Sequence, residues 1–255
     1  MLSAVCSSGD MRWEWLPLAR TLTLFRLCLF VSSFLYPVFQ IAAQNTADEL
    51  LAQGDRFGAV GNWTIAGPHY ARAEQLFGVA GDRANELRAK FGRLQRDVLS
   101  GSYVAVKHEV EKHMDEEVVR ADPQLRIRAL ALKGMINMNL NTSAAKEDWG
   151  EVLRLAKQLG DRKWENRASG QLGLIAGVEG DYSTAMFQLL AAIKTASQIK
   201  DVGAELYFRT FLANGLTVNN HPGQALRLYD AALELAKANP DSGFPLQPYL
   251  GKIRA

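Results

Sequence analysis

The segment HEVEKH, from His108 to His113, comes closest of any stretch in the chain to a metal site. A helical zinc site of the protease kind needs two histidines four apart, so that both imidazoles leave one helix face. Here they are five apart, which turns them ~140° from one another around a helix. Glu109 and Glu111 alternate with Lys112 as on a solvated face, so no metal is expected. His69 and His221 stand alone. The serines lack a nucleophile-elbow context, and no glycine-rich phosphate loop occurs. Both cysteines, Cys6 and Cys28, lie near the start, so the rest of the chain has no disulfide, thiolate metal site or cysteine nucleophile. These residues point away from catalysis and from a bound cofactor.

One spacing does suggest binding. Arg88, Arg128 and Arg167 recur at steps of 40 and 39 residues, and Tyr207 comes 40 further on. Guanidinium groups stacked at a fixed period suit carboxylates or phosphates, each held by two donors. Asn166 and Asn214 stand nearby and could hold a peptide backbone. The plain alternative is that these arginines are ordinary helix-surface residues, paired with Glu86 or with water.

That period belongs to the whole chain after residue 43. Five copies of one pattern begin at Gly61 (GNWTIA), Gly101 (GSYVAV), Leu140 (LNTSAA), Gly180 (GDYSTA) and Asn220 (NHPGQA), at spacings of 40, 39, 40 and 40. Five steps into each stand Ala66, Val106, Ala145, Ala185 and Ala225. Nine steps in come Tyr70, Val110, Trp149, Leu189 and Tyr229, and twelve steps in Ala73, His113, Val152, Ala192 and Ala232. Twenty-one steps in, each copy has an aspartate: Asp82, Asp122, Asp161, Asp201 and Asp241.

Steps of three and four keep these columns on one helix face, where small residues let a second helix approach and large ones fill the gap. Each aspartate is placed to cap the next helix. The pattern predicts helix pairs at 83–99 and 102–120, 123–139 and 142–159, 162–178 and 181–199, and 202–218 and 221–238. Gly54, Leu94, Gly134, Gly173 and Ala213 align in the first helix of each pair, where a close crossing explains the glycines. Trp63, Tyr70, Trp149, Tyr182 and Tyr229 fall on the repeat columns and are read as core.

Leu172-Gly173, with Gly180-Asp181-Tyr182 and Ala185 after it, resembles the tetratricopeptide repeat family. The resemblance covers residues 44–255. It is strongest at Gly180–Ala196 and Asn220–Ala236 and weakest at Gly101–Glu117. The usual repeat has about 34 residues and this one is longer, as in the long-helix variants. HEAT-like repeats share the length but not the Gly-Asp-Tyr…Ala opening. The resemblance implies an all-α fold, a right-handed superhelical solenoid of antiparallel helix pairs. It also implies that Arg88, Arg128, Arg167 and Tyr207 face a concave groove that receives peptides. Five pairs are expected, with an incomplete sixth from about residue 241, where FPLQPYLGKIRA looks like a first helix. In bacterial members such arrays often precede an enzymatic or signalling domain.

The first 43 residues differ in character. Arg12, Arg20 and Arg26 precede the uncharged run LCLFVSSFLYPVFQIAA, residues 27–43, which ends in small residues as a secretory signal does. The run is also at the lower edge of what crosses a bilayer, so a retained membrane anchor is the competing reading. Either one predicts an exported protein, periplasmic, extracellular or membrane-anchored. The composition, 48% hydrophobic and 22% charged over 255 residues, is that of a folded protein. A net charge of +2 gives no sign of a nucleic-acid partner. The leading expectation is a non-enzymatic scaffold that binds a protein or peptide in a concave groove. The alternative is the sensory or adaptor region of a larger enzyme, such as a caspase-like protease or a signalling kinase.

Overall fold

A computed structural model describes residues 46–255, all within one compact unit, Gln44–Ala255. The segment expected to direct export lies outside the described residues. Helix α1 covers 46–59. After it come α2 (Trp63–Ala80), α3 (Arg83–Leu99), α4 (Tyr103–Met114), α5 (Glu117–Ala121), α6 (Pro123–Leu140) and α7 (Thr142–Leu159). The chain continues through α8 (Arg162–Val178), α9 (Tyr182–Gln198), α10 (Val202–Val218), α11 (Pro222–Ala238), a 3₁₀ turn (Pro240–Ser242) and α12 (Leu246–Arg254). The architecture is an all-helical array of helix pairs, each packed on its neighbours in sequence. Among the described residues, no helix is long and apolar enough to cross a membrane.

Short polar caps set the helix boundaries. The Asp82, Asp161 and Asp201 side chains accept N–H bonds from the first turns of α3, α8 and α10, and Asp122 does the same for α6. Each such cap is worth about 1 kcal/mol. Gly81 and Gly160 end α2 and α7 in the left-handed region, letting the Asp82 and Asp161 amides turn back to the Phe77 and Ala156 carbonyls. Asp241 departs from the pattern. It sits in the 3₁₀ turn, α12 starts five residues later, and its carboxylate binds Arg56 instead of capping a helix.

The repeat columns form the core. All residues of the five-, nine- and twelve-step columns are buried. Large side chains sit over missing ones: a Cβ on Gly54 or Gly92 would lie 2.7 or 2.5 Å from the Tyr70 ring, and one on Gly134 would lie 2.7 Å from Trp149 Nε1. Gly251 on α12 meets the Tyr229 ring in the same way, at 2.4 Å. Gly92 and Gly251 both stand ten residues after a repeat aspartate, so α12 lies in register with the earlier units. The helix expected at 102–120 is broken at Asp115 and Glu116, giving α4 and α5. The break comes just after His113, the one bulky polar residue in a column otherwise made of Ala and Val; its ring is buried and held by carboxylates on both sides.

The ends of the array meet. The Ala59 carbonyl at the end of α1 accepts a bond from Arg167 on α8 at 3.2 Å. It also lies so close to Gly203 on α10 that a Cβ there would stand 2.0 Å from the oxygen, which excludes any other residue without a shift. Arg56 pairs with Asp241 at 2.6 Å, and Asn62 Nδ2 donates to the Asp241 carbonyl at 2.9 Å. No apolar cluster spans these contacts among the described residues, so the ends are joined by polar groups.

Candidate functional site

The three spaced arginines lie on α3, α6 and α8, and each meets a carboxylate of this chain. Arg88 Nη2 donates to Asp122 at 3.1 Å, and Arg167 grips Asp201 with two bonds of 2.8 Å. In both cases the arginine reaches the capping aspartate 34 residues ahead, so the pair ties one unit to the next. Arg128 breaks the pattern and reaches back to Asp55 on α1 at 2.7 Å. Tyr207, next in the row, packs its ring on Phe208 and Phe211. Asn166 donates to the Ala192 carbonyl at 3.1 Å, and Asn214 accepts from the Tyr229 hydroxyl at 2.6 Å. All six candidate residues therefore have partners inside the chain. The aspartates that take Arg88 and Arg167 were visible in sequence as caps; their fixed offset from the arginines is the signal that names the pairs.

Asp55 links two of these features, accepting from Tyr70 Oη at 2.8 Å as well as from Arg128. Burial, and next the Asp55 charge, push the Tyr70 hydroxyl above its ordinary range. Burial alone would lower Arg128, but the adjacent Asp55 carboxylate, with Tyr70, more than offsets this and raises it.

A second polar cluster surrounds His113. Its Nδ1 lies 2.6 Å from Glu116 and its Nε2 3.2 Å from Glu109, while Arg83 and Lys90 donate to those same carboxylates at 2.7 and 3.0 Å. His108, in contrast, is exposed, so the two histidines of HEVEKH do not converge. The Arg83 hydrogen bond lowers Glu116 to about 2, and the Lys90 hydrogen bond lowers Glu109 to about 2, each from an ordinary value of 4.5. Carboxylates depressed in the folded state add stability that is complete above the unfolded value and is lost as pH falls through the folded one. The melting temperature is therefore expected to fall between pH 4.5 and about 2. A Glu109→Gln/Glu116→Gln variant should melt lower at neutral pH and lose this part of the acid dependence. An unchanged acid profile in that variant would show that other groups cause it.

Uncovered apolar side chains gather on α9, as Phe244, Leu246, Tyr249 and Ile253 do at α12. Tyr182, Met186, Phe187 and Leu190 are 61, 42, 75 and 50% exposed. Soluble chains rarely leave such side chains contiguous without a use. Tyr182 thus corrects the core assignment. In the first unit Trp63 folds over Gly58, whereas the matching Gly177 faces Ala185 and leaves the smaller Tyr182 ring in water. Beside the face runs a cleft of about 450 Å³ between α7 and α9, floored by α8, with Leu153, Leu172, Phe187, Asn166, Gln188 and Thr195 among its walls. Asn166 is buried there, and Gln188 Oε1 is a buried acceptor without a hydrogen-bond partner among the described residues. Sequence reading missed Met186, Phe187 and Leu190. Met186 and Leu190 follow Tyr182 at steps of four, and Phe187, ~140° around the helix from Tyr182, borders the cleft; none of the three belongs to the Ala185–Leu189–Ala192 core stripe, which is the signal that would have found them.

Comparison of the chain with protein-family models and with curated proteins finds no match.

Proposed function

We propose that the array is a protein-interaction scaffold of the tetratricopeptide kind, without catalytic chemistry, metal or cofactor of its own. In this reading the partner is a protein or peptide, and residues 27–43 direct the array out of the cytoplasm or anchor it to a membrane. Arg88, Arg128 and Arg167 serve to tie repeat to repeat, and the partner docks on the solvent face of α9. One observation carries the reading: Tyr182, Met186 and Leu190 form an exposed apolar row along α9, and Phe187 stands exposed beside it at the cleft. Interfaces concentrate their binding energy in such aromatic and Met anchors.

A photo-crosslinking amino acid at position 187, in the full chain expressed in its own cells, tests this. It is expected to give a discrete protein adduct, while the same group at exposed Arg72 on α2 gives none. Equal adducts at both positions, or none at 187, would remove α9 as the docking face.

A further inference from the structure

Resting on that reading of α9, we propose that the partner is an acidic amphipathic segment, with apolar side chains seated on Tyr182, Met186, Phe187 and Leu190 and carboxylates over Arg162 and Lys194.

Tyr182, Met186, Leu190 and Lys194 succeed one another at steps of four, so they form a single row along α9. Lys194 is the only charged residue of the helix. Because α8 and α9 form an antiparallel pair, α8 begins where α9 ends, and Arg162 lines the cleft together with Thr195. The exposed Lys157 at the end of α7 and Lys163 at the start of α8 belong to the same end of the units. None of Lys157, Arg162, Lys163 and Lys194 has a carboxylate partner among the described residues. One carboxylate, Glu165, lines the cleft, so cations prevail at this end. At the other end of the row Asp181 caps the helix, and Glu179 just before it is paired with Lys146 at 2.8 Å, so no free cation stands there among the described residues. The face is therefore polarised, apolar in the middle and basic at the Lys194 end, and it fixes the direction in which an acidic segment lies. The cleft wall carries Arg162, Glu165, Ser169 and Thr195 beside its apolar residues, and such a mixed lining suits a peptide better than the acyl chains of a lipid.

Rim charges govern encounter rate and specificity, while apolar anchors govern residence. Random 14-residue segments displayed on phage and selected on the full chain test the proposal, with the recovered segments synthesised and measured by fluorescence anisotropy. The expected segments pair large apolar residues with Asp or Glu. Phe187→Glu should weaken them by about tenfold or more. Arg162→Glu/Lys194→Glu should weaken them by about fivefold, mainly in the on-rate, and the difference should vanish in high salt. Both changes fall on exposed side chains, and an unaltered helical circular-dichroism spectrum verifies folding.

Recovery of basic or uncharged segments, or equal binding to the charge-reversed variant, overturns the proposal. So does Phe187-dependent sedimentation with phosphatidylglycerol vesicles when no segments are recovered, which makes the face a membrane contact. A dimer dispersed by Leu190→Asp overturns it too, because a second copy then covers α9. Crosslinking at position 187 without an acidic preference leaves the scaffold standing and removes only the partner class. Absence of crosslinking at 187 removes α9 as the docking face, and this proposal with it.

Discussion

Replacing Trp149 by alanine is expected to lower the stability of the array by about 3–5 kcal/mol, the cost of emptying a fully packed indole site. Trp149 is buried and belongs to a cluster that joins α6, α7 and α8 through Ile127, Ala131, Val152, Ala168 and Ile175. Gly134 has no side chain, so the indole lies directly on the α6 backbone. The adjoining helices cannot close the gap without moving whole repeats, so most of the cavity should persist.

The loss should also change how the array unfolds, because Trp149 sits near its middle. A repeat protein is held by contacts between neighbours, so a weakened middle interface uncouples the two sides. The wild type should unfold in urea as one transition, and the Trp149→Ala chain in two, read by circular dichroism and tryptophan fluorescence. Amide exchange should assign one step to α2–α6 and the other to α8–α11. Trp149→Phe should cost far less, because it keeps an aromatic ring on Gly134 and removes an indole N–H that has no partner among the described residues. A loss below about 1 kcal/mol with a single transition would show that the joint lies elsewhere.

Much of the fold was legible because its causes are local. The aspartate caps and the spacing of small and large residues fix α3, α8 and α10 at the bounds read from sequence. The break after Met114 was not legible, since it depends on how a buried His113 finds Glu109 and Glu116. Nor was the role of Asp241: its partner Arg56 lies 185 residues away, and no spacing rule within a helix reports such a contact. The arginine row was found by its period, and its partners were missed because each lies in another unit. The α9 face was hidden for a different reason. Periodicity identifies which residues share a side, but exposure depends on whether a neighbour reaches that side, and α7 leaves the cleft open there.

Arg128→Leu is expected to cost about 1.5–3 kcal/mol, the range for a hydrogen bond to a charged group. The ~3–5 kcal/mol typical of a broken buried pair is too high, because 37% of the Asp55 side chain remains in water. Arg128 is the one of the spaced arginines whose carboxylate partner, Asp55, lies on α1, so its loss acts on closure of the array as well as on α6. With Arg128 gone, Asp55 keeps only the Tyr70 hydroxyl of the two donors. The end of α1 then rests on Arg167, Gly203 and the exposed Arg56–Asp241 pair, and surface pairs contribute little. Amide exchange at Gly61 and Asn62 should therefore rise in Arg128→Leu more than exchange in α9. In a double-mutant cycle with Asp55→Asn, the two changes should couple by about 1 kcal/mol or more. Additive losses, with exchange at Gly61 unchanged, would mean that the polar contacts near Ala59 hold the ends together without Arg128.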